Sequence, residues 1–253
     1  MRISLFVTCS NNILYPQTGR AVVTVLERLG HEVEFIESQT CCGQMHLNAG
    51  YRQEGLSLAR TTIDAFERAE YIVVPSGSCT STIRHLWQGV ASDAGDSELA
   101  VAACAMAPRV YEFTEFLVDV LGVTDVGARF ARRVTYHPTC HSLRSLRVGD
   151  RPLQLLRNVA DIDLVELPNS DSCCGFGGLF ALKNADTSAA MGHDKLAMAA
   201  STGADVVCAS DNSCLTHLAG LNKKAKRHSL DAPVRDLEFK HIAEILAVTG
   251  AGL

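Results

Sequence analysis

Short apolar segments alternate with amphipathic segments along the whole chain. Apolar runs of four to six residues that end in polar or glycine-rich loops are typical of buried strands, and apolar residues spaced three and four apart are typical of helices. The predicted strands cover residues 2–7, 32–36, 71–75, 133–136, 163–167 and 204–207. The predicted helices include residues 19–29 and 48–69, with closing helices around 116–118 and 242–246.

The regular alternation of strand and helix predicts an α/β fold with parallel sheets and right-handed crossovers. Ligands of such sheets bind beyond the carboxyl ends of the strands. Cys9, Cys41, Cys42 and Cys79 each follow a predicted strand. We therefore expect these four cysteines, which are distant in sequence, to meet at one edge of one sheet.

The second half of the chain repeats the plan of the first half. Cys41-Cys42-Gly43 recurs as Cys173-Cys174-Gly175, and Thr8-Cys9 recurs as Thr139-Cys140. Glu112 before the first closing helix aligns with Glu238 before the second. The sequence therefore predicts two tandem pseudo-symmetric repeats, residues 1–127 and 128–253, each a small parallel sheet flanked by helices.

Eight of the ten cysteines recur in pairs between the repeats, and two do not. Cys104 and Cys208 have no cysteine counterpart, and we expect both to pack as small apolar residues. The paired cysteines are the candidate metal and cofactor ligands: Cys9 with Cys140, Cys41 with Cys173, Cys42 with Cys174, and Cys79 with Cys214.

Adjacent cysteines favour a multi-metal centre. A single tetrahedral ion usually takes its thiolates from C-x2-C spacings, whereas an iron–sulphur cluster offers neighbouring thiolates separate iron atoms. Iron–sulphur ligation is therefore the leading interpretation. One structural zinc ion per repeat, or cysteines without metal, remain as alternatives. A low-pKa, exposed cysteine pair acting in thiol–disulfide exchange is a further alternative.

Other residues near the cysteines leave several roles open. His137 and His141 flank Cys140, and each suits a metal ligand, a proton relay, a hydrogen-bonding partner of a ligand or a surface position. The run 175–178, Gly-Phe-Gly-Gly, departs from the G-x-G-x-x-G phosphate loop, so phosphate binding is disfavoured.

Composition narrows the classes of function. The chain has 253 residues, 47% hydrophobic and 20% charged, and a net charge of −5. The only clustered basic residues lie at 223–227, so we expect no nucleic-acid partner. The sequence has no apolar window long enough for a membrane span. Ten cysteines without an export signal point to a reducing compartment, and we expect a cytoplasmic protein.

These motifs resemble a known family, the cysteine-rich (CCG) domain proteins. The likeness is carried by residues 4–9, 26–30, 41–44, 75–79, 121–123 and 173–178. It is strongest to the two-repeat branch formed by the iron–sulphur A subunits of L-lactate utilisation complexes. More distantly, the chain is similar to the B subunit of heterodisulfide reductase and to the iron–sulphur subunit of glycolate oxidase.

The resemblance implies an electron-carrying subunit that holds one or more iron–sulphur clusters, of the 4Fe-4S type, at the eight paired cysteines. It also implies a non-autonomous oxidoreductase. Such a subunit would work with a ferredoxin-type iron–sulphur subunit and a third subunit to oxidise L-lactate to pyruvate.

The chain departs from the heterodisulfide reductase relatives at the end of each repeat. Those relatives carry Cys-x-x-Cys there and use five thiolates per cluster. Here Thr82 follows Cys79 at that interval, and His217 follows Cys214. Four thiolates per repeat remain, which argues against a five-thiolate cluster and against disulfide cleavage.

Overall fold

A computed structural model describes residues 1–228 and 236–250. The chain forms two compact units, Met1–Gly122 and Val123–Leu253. Within the described residues, each unit contains a four-stranded parallel sheet flanked by helices. The predicted α/β class with two tandem repeats is therefore confirmed. The predicted second repeat also takes in residues 229–235 and 251–253, which lie outside the described residues.

The two sheets have the same topology. The first sheet has the order β2-β1-β3-β4, and the second has the order β6-β5-β7-β8. All neighbouring strands are parallel. The strands of the first sheet are β1 (Arg2–Leu5), β2 (Glu32–Phe35), β3 (Ile72–Val74) and β4 (Val110–Glu112). Those of the second sheet are β5 (Arg133–His137), β6 (Asp163–Val165), β7 (Val206–Ala209) and β8 (Glu238–His241).

Helices cross between the parallel strands in both units. In the first unit they are α1 (Cys9–Leu14), α2 (Pro16–Arg28), α3 (Gln44–Ala49), α4 (Arg52–Ala65), α5 (Gly77–Ser81), α6 (Trp87–Asp93), α7 (Ser97–Met106) and α8 (Phe113–Glu115). In the second unit they are α9 (Arg151–Arg157), α10 (Leu179–Lys183), α11 (Ala185–Ser201), α12 (Asn212–His228) and α13 (Ile242–Ala247). Short π-helical turns cover Thr82–Leu86, Phe116–Val120 and His141–Ser145, and a 3-10 turn covers Ala107–Arg109. None of the helices in the described ranges combines the length and apolar character that crossing a bilayer requires.

Two details of the predicted elements were wrong. The helix predicted over 48–69 is two helices, α3 and α4, because Gly50 ends α3 with a left-handed backbone at φ +88°. The fourth strand of each sheet, β4 and β8, is short and was not predicted. Such strands of three or four residues carry little periodicity of their own.

The sheet register also corrects the alignment of Glu112 with Glu238. Glu112 pairs with Val74 on β3, whereas the residue paired with Ala209 on β7 is His241. Both residues then cap a helix, Glu112 at the start of α8 and His241 at the start of α13. The structural counterpart of Glu112 is therefore His241, three residues further along than the sequence comparison placed it.

The hydrophobic core of each unit extends to the cysteine-bearing edge of its sheet. In the first unit, Phe66 and Trp87 are fully buried in a cluster that includes Cys42 and Cys79. In the second unit, Cys174 and Cys214 belong to a cluster with apolar residues of α11, α12 and β7. The inner cysteines of each unit are thus held by core packing.

A pH-dependent contribution to stability arises at Glu112. Its fully buried carboxylate accepts hydrogen bonds from the backbone N–H groups of Thr114, at 2.8 Å, and Glu115, at 3.2 Å, and burial raises its pKa to about 7. A pKa above the ordinary value means that the folded state holds the proton more tightly. Stability therefore falls as pH rises from about 4.5 to about 7 and stays lower above that.

We expect Glu112→Gln to remove this decline, because the neutral amide still offers an oxygen to the cap. The unaltered protein should lose on the order of 3 kcal/mol relative to the variant between about pH 5 and about pH 8. Urea midpoints of both proteins at the two pH values measure the difference. Glu98→Gln, at an exposed site on α7, is the control and should leave the pH dependence unchanged. A decline of the same size in Glu112→Gln would contradict the assignment.

Candidate metal centres

Four cysteines meet at the carboxyl edge of the first sheet. We call Cys9, Cys41, Cys42 and Cys79 the first thiol set. The Sγ atoms of Cys9 and Cys41 lie 3.4 Å apart, and those of Cys42 and Cys79 lie 3.2 Å apart. A hydrogen bond between the Cys41 and Cys42 side chains links the two pairs. The topology of the sheet thus brings together four thiols from three separate stretches of sequence.

Helix caps fix two members of this set. The Thr8 hydroxyl accepts a hydrogen bond from the backbone N–H of Asn11 at 3.3 Å, which starts α1 at Cys9. The Ser76 hydroxyl accepts one from the backbone N–H of Cys79 at 3.3 Å, which starts α5 after β3. The capping residues and the strand ends therefore determine where these two thiols lie.

The Cys-Cys-Gly loops need glycine for a steric reason. Gly175 has φ +90°, and a Cβ there would lie 2.4 Å from the carbonyl oxygen of Ser188. Gly43 has φ +75°, and a Cβ there would lie 3.0 Å from the carbonyl oxygen of Gly55. Each loop consequently packs its backbone against the second helix that follows it, α4 for Gly43 and α11 for Gly175, and both approaches favour glycine.

The second unit repeats the arrangement with Cys140, Cys173, Cys174 and Cys214, which we call the second thiol set. Side-chain hydrogen bonds join Cys140 to Cys173, Cys173 to Cys174, and Cys174 to Cys214. Cys140 follows β5, the adjacent pair follows β6, and Cys214 lies in the first turn of α12 after β7. The structure therefore brings all eight sequence-predicted site residues into two groups of four.

Each thiol set has a buried side and a side nearer solvent. Cys42, Cys79, Cys174 and Cys214 are buried. Cys9 is exposed, and Cys41, Cys140 and Cys173 are partly exposed. A centre held by either set would be anchored in the core and reached from the surface.

One cysteine in each set is poised as a thiolate. Hydrogen bonds from Cys42 and Cys9 lower the pKa of Cys41 to about 2, and those from Cys140 and Cys174 lower the pKa of Cys173 to about 2. The partner thiols show the opposite shift. The hydrogen bond to Cys41 and burial raise the pKa of Cys9, and the bond to Cys173 and burial do the same at Cys140. Metal binding would displace these shared protons.

The thiol sets fit a thiolate-ligated metal centre. In each unit hydrogen bonds connect four thiols in a row, and each unit supplies a pair of adjacent cysteines. The 3.4 Å and 3.2 Å sulphur contacts are shorter than the edge of about 3.8 Å in a tetrahedron with metal–sulphur bonds of about 2.3 Å. The thiols must therefore move apart to hold either one ion or a cluster.

The two unpaired cysteines lie elsewhere. Cys208 is fully buried on β7, which confirms its prediction as a small core residue. Cys104 lies on α7 but is exposed, so its predicted packing role is wrong. Helix α7 consists almost wholly of small apolar residues on all sides, and for that reason its sequence does not show which side faces solvent.

Two polar residues beside the second thiol set were not assigned from the sequence. His137 is fully buried, and ligand atoms of His137, Cys174 and Cys214 lie within 4.8 Å of one another. A surface position for His137 is therefore wrong. The sequence already indicated the burial of His137, because this residue aligns with apolar Phe6 of the first repeat. Lys195 is 1% exposed and donates to the carbonyl oxygen of Asn169 at 2.9 Å, and a lysine on a helix gives no sequence signal of burial.

Comparison with known proteins agrees with this arrangement. The sequence profile of the cysteine-rich domain family, CCG, matches residues 3–84 and 134–219, and these ranges contain both thiol sets. The fold and the profile together define a tandem cysteine-rich domain protein.

Relatives of similar length show to which branch of the family the chain belongs. The chain is 44% identical to Lactate utilization protein A of Bacillus pumilus, over 97% of this chain and 99% of the relative. It is 42% identical to the protein of the same name from Oceanobacillus iheyensis, over 97% and 96%. It is 40% identical to Lactate utilization protein A 2 of Bacillus cereus, over 98% of both chains. The chain belongs to the cysteine-rich (CCG) domain family, in the branch of Lactate utilization protein A.

Proposed function

We propose that this chain is an iron–sulphur electron-transfer subunit of a complex that oxidises L-lactate to pyruvate. The observation that carries the proposal is the duplication of the thiol set, four thiols at the carboxyl edge of each parallel sheet. The names of the relatives, Lactate utilization protein A, support the substrate.

The residues of each thiol set suit a cluster of the 4Fe-4S type. When bound, such a cluster accepts and releases single electrons. The four thiolates would hold it, with neighbouring cysteines on separate metal atoms. The backbone N–H of Gly175 donates to the Cys173 sulphur at 3.3 Å, and that of Gly43 donates to Cys41. Such bonds favour negative charge on the sulphur and would help the centre to take up an electron.

The surface near the thiols suits docking of partner subunits. Ile13 and Leu14 on α1, which begins at Cys9, are 76% and 60% exposed. Met45 on α3, which follows Gly43, is 58% exposed. In the second unit Leu182 on α10 is 77% exposed. A ferredoxin-type iron–sulphur subunit and a third subunit are the proposed partners. We place the complex in a reducing compartment such as the cytoplasm.

The lactate site is assigned to a partner subunit. Removing a hydride equivalent from lactate needs a base, a carboxylate clamp and a two-electron acceptor. The sequence has no G-x-G-x-x-G dinucleotide loop, and thiolate-bound clusters transfer single electrons. This chain therefore conducts electrons that another subunit extracts.

Two observations favour other candidates. The 3.4 Å and 3.2 Å sulphur contacts need to widen by less than about 1 Å to reach the edge of a four-thiolate zinc site, which would make the chain a zinc-stabilised interaction subunit. The exposed Cys9 beside the low-pKa Cys41 suits a thiol–disulfide oxidoreductase without metal. Iron is preferred over zinc because zinc rarely takes adjacent cysteines, and a metal is preferred over free thiols because the thiol set is duplicated.

Because lactate oxidation is assigned to a partner subunit and electron transfer to this chain, lactate-dependent reduction of an acceptor should require both. The metal-loaded chain alone should not reduce an artificial electron acceptor with L-lactate, because it lacks the two-electron site. Together with its partner subunits it should support rapid reduction. The measurement is lactate-dependent acceptor reduction by the chain alone, by the partners alone and by the complex.

The control is the complex reassembled with the exposed-site variant Cys104→Ala, which should retain the activity of the unaltered complex. Robust turnover by the isolated chain, or unchanged turnover when it is omitted, would overturn the proposed division.

A further inference from the structure

The two thiol sets differ at one buried position. His137 is the last residue of β5, three residues before Cys140, and pairs with Ala209 on β7. The residue at the same distance before Cys9 is Phe6, which is also fully buried. One unit thus places an imidazole where the other places a phenyl ring.

The imidazole of His137 lacks the partners that a buried polar group needs. It is fully buried, and neither Nδ1 nor Nε2 has a hydrogen-bond partner. Buried polar side chains almost always have such a partner, because leaving one without carries a free-energy penalty. A histidine in this position is therefore expected to meet a partner that is bound from outside the chain.

The neighbouring thiols identify that partner as a metal. Ligand atoms of His137, Cys174 and Cys214 lie within 4.8 Å of one another, so a metal atom held by either thiolate would lie within reach of the imidazole after a small adjustment. Thiolate and imidazole together are a common donor set for zinc and for iron–sulphur centres. Phe6 offers no such donor to the first thiol set.

A metal binds the lone pair of a neutral imidazole ring. A neutral ring has a lone pair on one nitrogen, and that nitrogen is free of any hydrogen bond here.

We propose that His137 coordinates a metal atom of the second thiol set through a ring nitrogen, so that this centre has mixed thiolate and imidazole ligands while the first has thiolates alone. The inference rests on the proposed function in so far as both units bind metal.

Pulsed electron paramagnetic resonance of the full-length chain tests this inference. Cys41→Ser with Cys42→Ser silences the first centre. The chain is then loaded anaerobically with iron and sulphide and reduced by one electron with dithionite, with and without nitrogen-15 histidine. We expect the strong hyperfine coupling of a directly bound imidazole nitrogen. The coupling pattern should change when nitrogen-15 replaces nitrogen-14 in histidine. His137→Phe, which copies the first unit, should abolish the coupling, and His141→Phe should retain it.

The nitrogen coupling measured on the protein that retains His137 decides the question even if the phenylalanine variant fails to fold. A paramagnetic second centre without strong nitrogen coupling would overturn the inference, as would coupling that survives in His137→Phe. A chain that takes up no iron and sulphide contradicts the proposed function instead. The same nitrogen measurement on the chain loaded with Co²⁺ alone would then support His137 ligation if the coupling is present and overturn it if absent.

Discussion

Serine at Cys42 or Cys174 is expected to abolish metal binding at the centre of that unit and to leave the other centre in place. Both thiols are buried, and each lies in the middle of its set, hydrogen-bonded to two further cysteines. A serine hydroxyl is a much poorer ligand for iron or zinc than a thiolate. Iron and sulphide per chain should fall by about half in either variant and to near zero in the double variant, by analysis after anaerobic loading.

Alanine at the unpaired cysteines provides the matched control. Cys208→Ala removes one buried sulphur from β7 and should cost about 1–2 kcal/mol of stability, whereas Cys104→Ala changes an exposed site and should cost less. Neither should lower the metal content. Equal metal loss from the alanine and serine variants would show that the eight paired cysteines are not the ligands.

The sequence was sufficient to predict the cysteine edge of each sheet. Parallel strands end at a common edge, so a cysteine after each of three strands must come near the others even when they are 30 or more residues apart. The duplication then separated Cys104 and Cys208 from the other eight. The predicted strand that precedes Cys9 and the apolar strand before Cys79 both occur, as β1 and β3.

Tertiary packing decided the features that the sequence did not show. Gly50 divides a helical stretch because its backbone is left-handed, a property that periodicity does not reveal. The register of β8 places His241 opposite Ala209, although the similar Glu-Phe pairs at 112 and 238 suggested another alignment. A short common pair of residues is weaker than strand pairing as a guide to structural equivalence.

The buried polar residues of the second unit illustrate the same limit. Lys195 is enclosed because its ammonium reaches the carbonyl oxygens of Asn169 and Ser170, in a loop that is distant in sequence. His137 could have been singled out by comparing the repeats, because a histidine at an otherwise apolar strand position is unusual. The distance between His137 and the thiols could be learned only from the structure.

The central claim is that the thiol sets hold iron–sulphur centres, and metal analysis of the unaltered chain tests it most directly. The chain is purified without oxygen, or reconstituted anaerobically, and iron, acid-labile sulphide and zinc are measured per chain. We expect a brown protein with iron and sulphide in near-equal amounts, because an iron–sulphur cluster of the 4Fe-4S type absorbs visible light whereas zinc has a filled d shell. A colourless protein with stoichiometric zinc and no sulphide after reconstitution would contradict the account.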